Sequence, residues 1–186
     1  VGCYLMDHHK TRGLSGEVEG FSDKYYFGRR PTGIYIPRYR NVNEQTKTFL
    51  RGYGVQGGAY RNREKGEGIG RGFKEAITEA GGWTIGFTGF GETLPYAENR
   101  ITLNKEKTDK WGRPTLNMDA SFKENEKAMQ KDYEETTLEM FEKIGVKNLK
   151  FSGSMSFPGN ANHEMGTARM GKDPKTSVLN KWNQMH

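Results

Sequence analysis

The sequence predicts an α+β fold in which an antiparallel β-sheet is covered by helices. Three observations carry that prediction. Glycine is abundant, at 25 of 186 residues, and is interspersed with aromatic residues that make up 12% of the chain. This mixture suits turns and aromatic-faced strands and does not suit a helical bundle. Several segments alternate at period two, while one long segment repeats at three- and four-residue steps. The order is strands, one long helix, then more extended chain, which differs from the regular strand–helix alternation of a parallel sheet.

Residues 1–16 read as a short apolar-polar segment followed by turn signals at Gly13 and Gly16. Val18–Phe21 predicts a short strand. Gly33–Tyr39 predicts another, with Pro37 putting it at an edge or ending it. In Phe49–Val55, period two puts Phe49, Tyr53 and Val55 on one face, and the glycines of the other face suggest close approach to a second layer. Residues 56–72, QGGAYRNREKGEGIGRG, are the most polar stretch and read as a flexible loop. Phe73–Ala80 predicts a short helix stopped by Gly81-Gly82. Trp83–Phe90 alternates cleanly, with Trp83, Ile85 and Phe87 on one side and Thr84, Gly86 and Thr88 on the other, so it predicts a strand.

Residues 100–103 and 113–118 flank the polar segment NKEKTDKWG and predict a hairpin. From Lys123 to Ile144, the residues Met129, Tyr133, Thr137, Met140, Phe141 and Ile144 form an apolar stripe among Glu and Lys, which predicts an amphipathic helix. Ser121 is the expected N-cap, with Glu124 three residues on, and Gly145 the expected stop. Val146–Phe151 predicts a last strand, and 152–186 is mostly loop. Tyr25-Tyr26-Phe27 reads as packing.

Composition narrows the function classes. Twenty-nine Lys and Arg against 23 Asp and Glu give a net charge of +6, compatible with nucleic acid, with an anionic cofactor, or with neither. The lone Cys3 excludes an internal disulfide and a cysteine-based zinc site. No run approaches the ~18 apolar residues of a membrane helix. The chain begins at Val1 and ends at NKWNQMH, and both ends read as cut from a longer protein, so the compartment is not legible.

Four stretches could carry chemistry. His163-Glu-Met-Gly-Thr is superficially like the zinc pattern H-E-x-x-H, but Thr167 stands where the second histidine is needed and Gly166 opposes a helix, so no metal is expected. The Arg/Gly/Tyr-rich residues 51–72, with Arg51, Arg61, Arg63 and Arg71, could form a single-stranded nucleic-acid surface, because arginine binds phosphate and tyrosine stacks on bases. Glu64 and Glu67 dilute that charge, and a strand with a solvated loop explains the stretch as well. Gly68-Ile-Gly-Arg-Gly72 has no apolar strand leading into it, as a dinucleotide-binding loop requires. In Asp7-His8-His9, adjacent side chains on extended backbone face opposite ways, so at most one would point into a given site.

Taken together, the motifs resemble a family. HEMGTARMG at 163–171 resembles the H-x-x-G-T-x-x-M-G motif of the glucose–methanol–choline (GMC) flavoprotein oxidoreductases. Val1-Gly-Cys-Tyr-Leu-Met-Asp-His8 is similar to their V-G-x-x-L-x-D-H segment. Glu98–Leu103, followed by Asp109–Pro114, is similar to their E-N-R-V-x-L … D-x-x-G-x-P pair of strands, and the helix before Gly145 corresponds to the one preceding the terminal motif. The resemblance spans the chain and is nearest to bacterial sugar and gluconate dehydrogenases.

The resemblance implies an FAD-dependent enzyme that oxidises a CH–OH group of a sugar, polyol or sugar acid by hydride transfer to flavin. It implies His163 as the general base, and Asp7, His8, Thr167 and Met170 near the cofactor. It divides the chain into a remnant of the flavin-binding domain at 1–16, a substrate-binding domain at 17–155, and an active-site loop with the start of a flavin-domain segment at 156–186. The partners implied are an alcohol or sugar, the rest of the same polypeptide and an electron-acceptor subunit. The family's nucleotide-binding G-x-G-x-x-G would precede Val1, and its second catalytic residue would follow His186. Asn180 departs from the Asp that many members carry there.

Overall fold

The computed structural model describes residues 1–24, 28, 31–63 and 67–186, with only the backbone of Asn62 and Arg63. Tyr25, Tyr26 and Phe27 lie outside the described residues. The chain forms ten elements: β1 (His9–Lys10), β2 (Gly13–Val18), β3 (Ile34–Ile36), β4 (Tyr53–Arg63), α1 (Arg71–Ala76), β5 (Ala80–Gly91), β6 (Arg100–Thr108), β7 (Pro114–Asp119), α2 (Glu124–Lys143) and β8 (Lys147–Ser152). One six-stranded sheet runs β3-β4-β5-β2-β8, with β1 also paired to β5, and β6 and β7 make a separate hairpin. Every pairing between these strands is antiparallel, so the α+β expectation holds in its sheet and helices. No described helix is long and apolar enough to cross a membrane.

The two faces of β5 have different fates, and the register shows why. Ile85, Phe87, Gly89 and Gly91 turn towards α2, whose Met129, Tyr133, Thr137 and Phe141 recur every fourth residue and are buried. Phe87 meets the Phe141 ring at 5.0 Å between centroids, and the Tyr133 hydroxyl donates to the Phe87 carbonyl at 2.9 Å. Gly89 and Gly91 are what let the helix lie so close: a Cβ at either would enter the space held by Tyr133 or Met129. Leu14, Val55, Phe49, Tyr53 and Val146 complete this core. A second tie is polar. The Asp132 carboxylate of α2 accepts from the Arg40 Nε at 2.9 Å, the Lys47 Nζ at 2.6 Å and the Tyr53 hydroxyl at 2.7 Å, pinning the 38–50 segment over the helix.

Four local expectations are corrected. Gly13 and Gly16 lie inside β2, where a Cβ at Gly16 would strike Val146 and Leu149; they mark close packing and do not make turns. Residues 56–63 continue β4, and backbone pairing with β5 from Gln56↔Thr88 to Arg63↔Ala80 overrides their polar, glycine-rich composition. Helix α2 begins two residues beyond the expected cap: Glu126 accepts from the Lys123 backbone N–H at 2.8 Å, while Ser121 is held through its backbone by Asn99. Ile144 leaves the apolar stripe and stands 60% exposed, because the helix ends there and Gly145, at φ 73°, turns the chain away.

One histidine is enclosed. His9 is fully buried, edge-on to Phe122 at 5.3 Å, and neither ring nitrogen has a hydrogen-bond partner among the described residues. Burial pushes its pKa from 6.5 down to about 4. The folded chain therefore holds neutral imidazole, and as pH falls the unfolded chain takes up the proton first. Stability is lost between about pH 6.5 and pH 4, by about 3 kcal/mol in all. Urea unfolding at pH 7 and pH 4.5 should show this loss, and a His9→Leu variant should lose at least 1 kcal/mol less over the same interval, by the same linkage. Equal losses in both proteins would remove His9 from the acid response.

Candidate active site

The first eight residues form a hinge plate between two distant parts of the chain. On one side, Leu5 N–H donates to the Asn99 carbonyl at 2.8 Å and Ile101 N–H to the Gly2 carbonyl at 2.8 Å. On the other, Met6 and Met165 exchange both backbone hydrogen bonds, at 2.8 and 2.9 Å, and Gly2 N–H reaches the Thr167 carbonyl at 3.0 Å. Gly166, at φ 101°, crosses directly over Tyr4, and a Cβ there would collide with the Tyr4 carbonyl oxygen. The glycine of the motif thus serves chain-on-chain approach. Arg169 adds its guanidinium over the Tyr4 ring at 3.8 Å.

Asp7, His8 and His9 point three ways. His9 enters the core. The Asp7 side chain is 3% exposed, and its Oδ2 accepts three consecutive backbone N–H groups, from Gly159 at 2.9 Å, Asn160 at 3.1 Å and Ala161 at 3.0 Å. Its Oδ1 takes the His8 N–H at 2.6 Å, and its carbonyl accepts from the Thr93 hydroxyl. A carboxylate surrounded by donors in this way is a strong anchor, because each bond is charge-assisted and the buried Asp7 side chain needs donors.

The anchored turn aims the next residues. Gly159, at φ 96°, and Asn162, at φ 63°, both take left-handed conformations, and His163 follows at once. The His163 ring is exposed and lies edge-to-face on His8, 4.7 Å between centroids. His8 in turn meets Phe90 of β5 at 6.3 Å. The nitrogens of His163 have no hydrogen-bond partner among the described residues, so the ring is held by stacking and backbone while its polar atoms stay open. Of the other predicted residues, Thr167 is half-buried and contributes its carbonyl to Gly2. Met170 is placed by a different pairing, with Leu179, and is 53% exposed.

Phe90 belongs to the face of the sheet opposite α2, and this face carries residues that no motif marks individually. Lys10 pairs with Phe90, Gln56 with Thr88, and Tyr35 with Gln56. Together they line a cavity of about 640 Å³ with Thr32 and Ile34. A second cavity, of about 420 Å³, shares Lys10 and Thr88 and reaches Ser152, Ser154 and Asn160, so it touches the turn that Asp7 anchors. A third, of about 550 Å³, extends along Gly58, Tyr60 and Trp83. Only contacts between strands remote in the chain reveal this surface; alternation had marked Thr88 merely as facing away from Phe87.

The Arg/Gly/Tyr-rich stretch is largely spent on the fold. Arg61 donates to the Gly81 carbonyl at 2.8 Å and the Ser22 carbonyl at 2.9 Å and lies over Trp83. Arg71 pairs with Glu75 at 2.7 Å. With residues 53–63 paired in the sheet and Arg61 engaged by backbone carbonyls, the described part of the stretch gives no support to a nucleic-acid surface.

Comparison with known proteins agrees with the motif geometry. Residues 95–186 match the family model described as GMC oxidoreductase. A 2-methyl-1,2-propanediol dehydrogenase from Mycolicibacterium austroafricanum is 29% identical over 193 aligned positions, which take in 99% of this chain and 34% of that protein. The chain thus spans about a third of that relative's length. With the terminal motif inside the matched region and its partner segment paired to it through Met6 and Met165, residues 95–186 of this chain are similar to the GMC oxidoreductases.

Proposed function

We propose that this chain forms the substrate side of an FAD-dependent oxidoreductase that converts a CH–OH group to a carbonyl, with His163 as general base. The observation that carries the reading is an exposed imidazole whose nitrogens have no partner among the described residues, stacked on His8, which in turn meets Phe90, a residue lining the 640 Å³ cavity of the open sheet face. The relative's named activity, on a small diol, is of the same chemical class.

The residues fit one end of a flavin. His163, His8 and the half-exposed Met165 offer imidazole and thioether edges beside an open surface, chemistry suited to a flat, polarizable ring. All strand pairs named above are antiparallel, so the parallel βαβ unit that holds a dinucleotide is not among them. When bound, FAD supplies the hydride acceptor.

The chain's own residues supply the rest. His163 accepts the hydroxyl proton, which raises electron density at the carbinol carbon as its C–H bond breaks as hydride; the carbon–oxygen bond becomes a carbonyl. His8 fixes the ring from its edge, Asp7 holds the turn that carries it, and the sheet face orients the alcohol. In this reading residues 2–8 and 159–170 are the flavin-facing part, and the six-stranded sheet is the substrate part.

Two measurements test it. In the full-length flavoprotein, His163→Ala should lower the rate of flavin reduction by an alcohol substrate by about 10²–10⁴-fold. Wild-type rates with every accepted alcohol would end the assignment. Asp7→Ala should act through the loop: amide exchange at Gly159, Asn160 and Ala161 should speed up by at least about tenfold as charge-assisted bonds are lost, with kcat falling more than KM rises. Unchanged exchange at those three amides would show that the turn holds itself.

A further inference from the structure

The cavities on the open face have a charge pattern that the redox reading does not use. Lys10 lines both the 640 Å³ and the 420 Å³ cavities, and it is the one charged residue among those named for all three; no aspartate or glutamate lines any of them. On the opposite, helix-bearing face, cations are paired: Arg40 and Lys47 on Asp132, and Arg12 near Glu134. Lys10 has no ion pair or side-chain hydrogen bond among the described residues. Its backbone is fixed on both sides, by pairing with Phe90 and by its N–H on the Ser156 hydroxyl at 3.2 Å, so the ammonium is presented from a rigid stem. Around it stand neutral hydrogen-bonding groups, Gln56, Thr88, Tyr35 and Ser152.

A single cation among hydroxyls and an amide, with no competing anion, suits a ligand that carries one negative group and several hydroxyls. The position is appropriate too. His8 and Lys10 are two residues apart on extended chain and share a face, and Phe90 touches both: its ring meets His8 and its backbone pairs with Lys10.

We propose that Lys10 is a specificity-determining residue that binds the carboxylate of a small polyhydroxy-acid substrate, while the hydroxyl to be oxidised lies towards His163. This rests on reading the open face as the substrate side. The same C–H and O–H bonds break as before: hydride passes to FAD, the proton passes to His163, and the carboxylate takes no part in the bond changes.

The test uses the flavin-loaded full-length protein with two substrate series, three- to six-carbon aldonates and the alditols of equal length. The wild type should have the higher kcat/KM for the aldonates. Lys10→Met should lower the aldonate values by about tenfold or more, mainly through KM, with a loss for alditols at least fivefold smaller. Lys10→Arg should restore most of the difference. A binding readout accompanies it: in the His163→Ala background, titration with an aldonate should perturb the flavin absorbance, and adding Lys10→Met should weaken that affinity by a similar factor. Equal losses for both series, or a shifted flavin potential with an unchanged ratio, would overturn the proposal and assign Lys10 to the flavin or the fold. A wild type that prefers alditols, or that reduces its flavin only with other alcohols, would overturn it while leaving the proton-acceptor role of His163 intact. Failure of every alcohol to reduce the flavin would sink both.

Discussion

One carboxylate governs the site. Asp7 sits some 150 residues from the turn it holds, and its Oδ2 gathers the N–H groups of Gly159, Asn160 and Ala161. That turn contains two left-handed residues, Gly159 and Asn162, and loop backbone of this kind does not hold one shape on local interactions alone. The anchor converts it into a fixed platform, because breaking it would strand a buried anion and three donors together. His163, His8 and the crossing of Gly166 over Tyr4 all follow from where that platform lies.

The sheet behind the platform is a wall with two unlike faces. Towards α2, glycines at 89 and 91 let Tyr133 and Met129 sit almost on the backbone, and the core closes around Phe87 and Phe141. On the opposite face, the same strand offers Thr88 and Phe90, with Gln56 and Lys10 beside them. The helix therefore gives stiffness to a surface it never touches. Period-two alternation in β5 encodes both consequences at once, which is why a short stretch of sequence can serve packing and binding together.

Much of this architecture was legible where one interaction dominates locally. The four-residue stripe of α2 and the alternation of Trp83–Phe90 are set by burial against a single neighbour, and both elements form where periodicity puts them. Legibility failed where long-range pairing decides. Residues 56–63 look like a solvated loop because Gly57, Gly58, Asn62 and the arginines are poor strand formers, yet eleven residues of β4 are carried by the ladder to β5. Gly13 and Gly16 look like turns because the partners that demand their small size, Ser152 and Val146, come far later in the chain. The cap at Lys123 was hidden for a related reason: the Glu126 carboxylate that closes its capping box also serves Leu94 and Tyr96. In the site, His163 was found through its motif. The alternation of Asp7, His8 and His9 was readable as alternation, but the anchoring use of Asp7 and the presence of Lys10, Gln56 and Thr88 on one surface were not, since each depends on which strands become neighbours.

The role proposed for His163, taking a proton from a variable substrate, carries a design conflict. Orienting an imidazole is ordinarily achieved by hydrogen-bonding one of its nitrogens, which commits that nitrogen and biases the tautomer. Here orientation comes from elsewhere: the Met6–Met165 backbone pair and the Asp7 turn fix the chain on either side of His163, and His8 meets the ring with its edge. Both nitrogens of His163 then stay unengaged by the described residues. Restraint through the backbone confines where the ring can be and leaves its chemistry to whatever enters the cavity. The same logic holds for Lys10, whose stem is fixed by a strand pairing and a serine while its charge is unspent. Under the proposed reading, base and cation are held by main chain and offered by side chain, so that a substrate would complete the network that the fold leaves open.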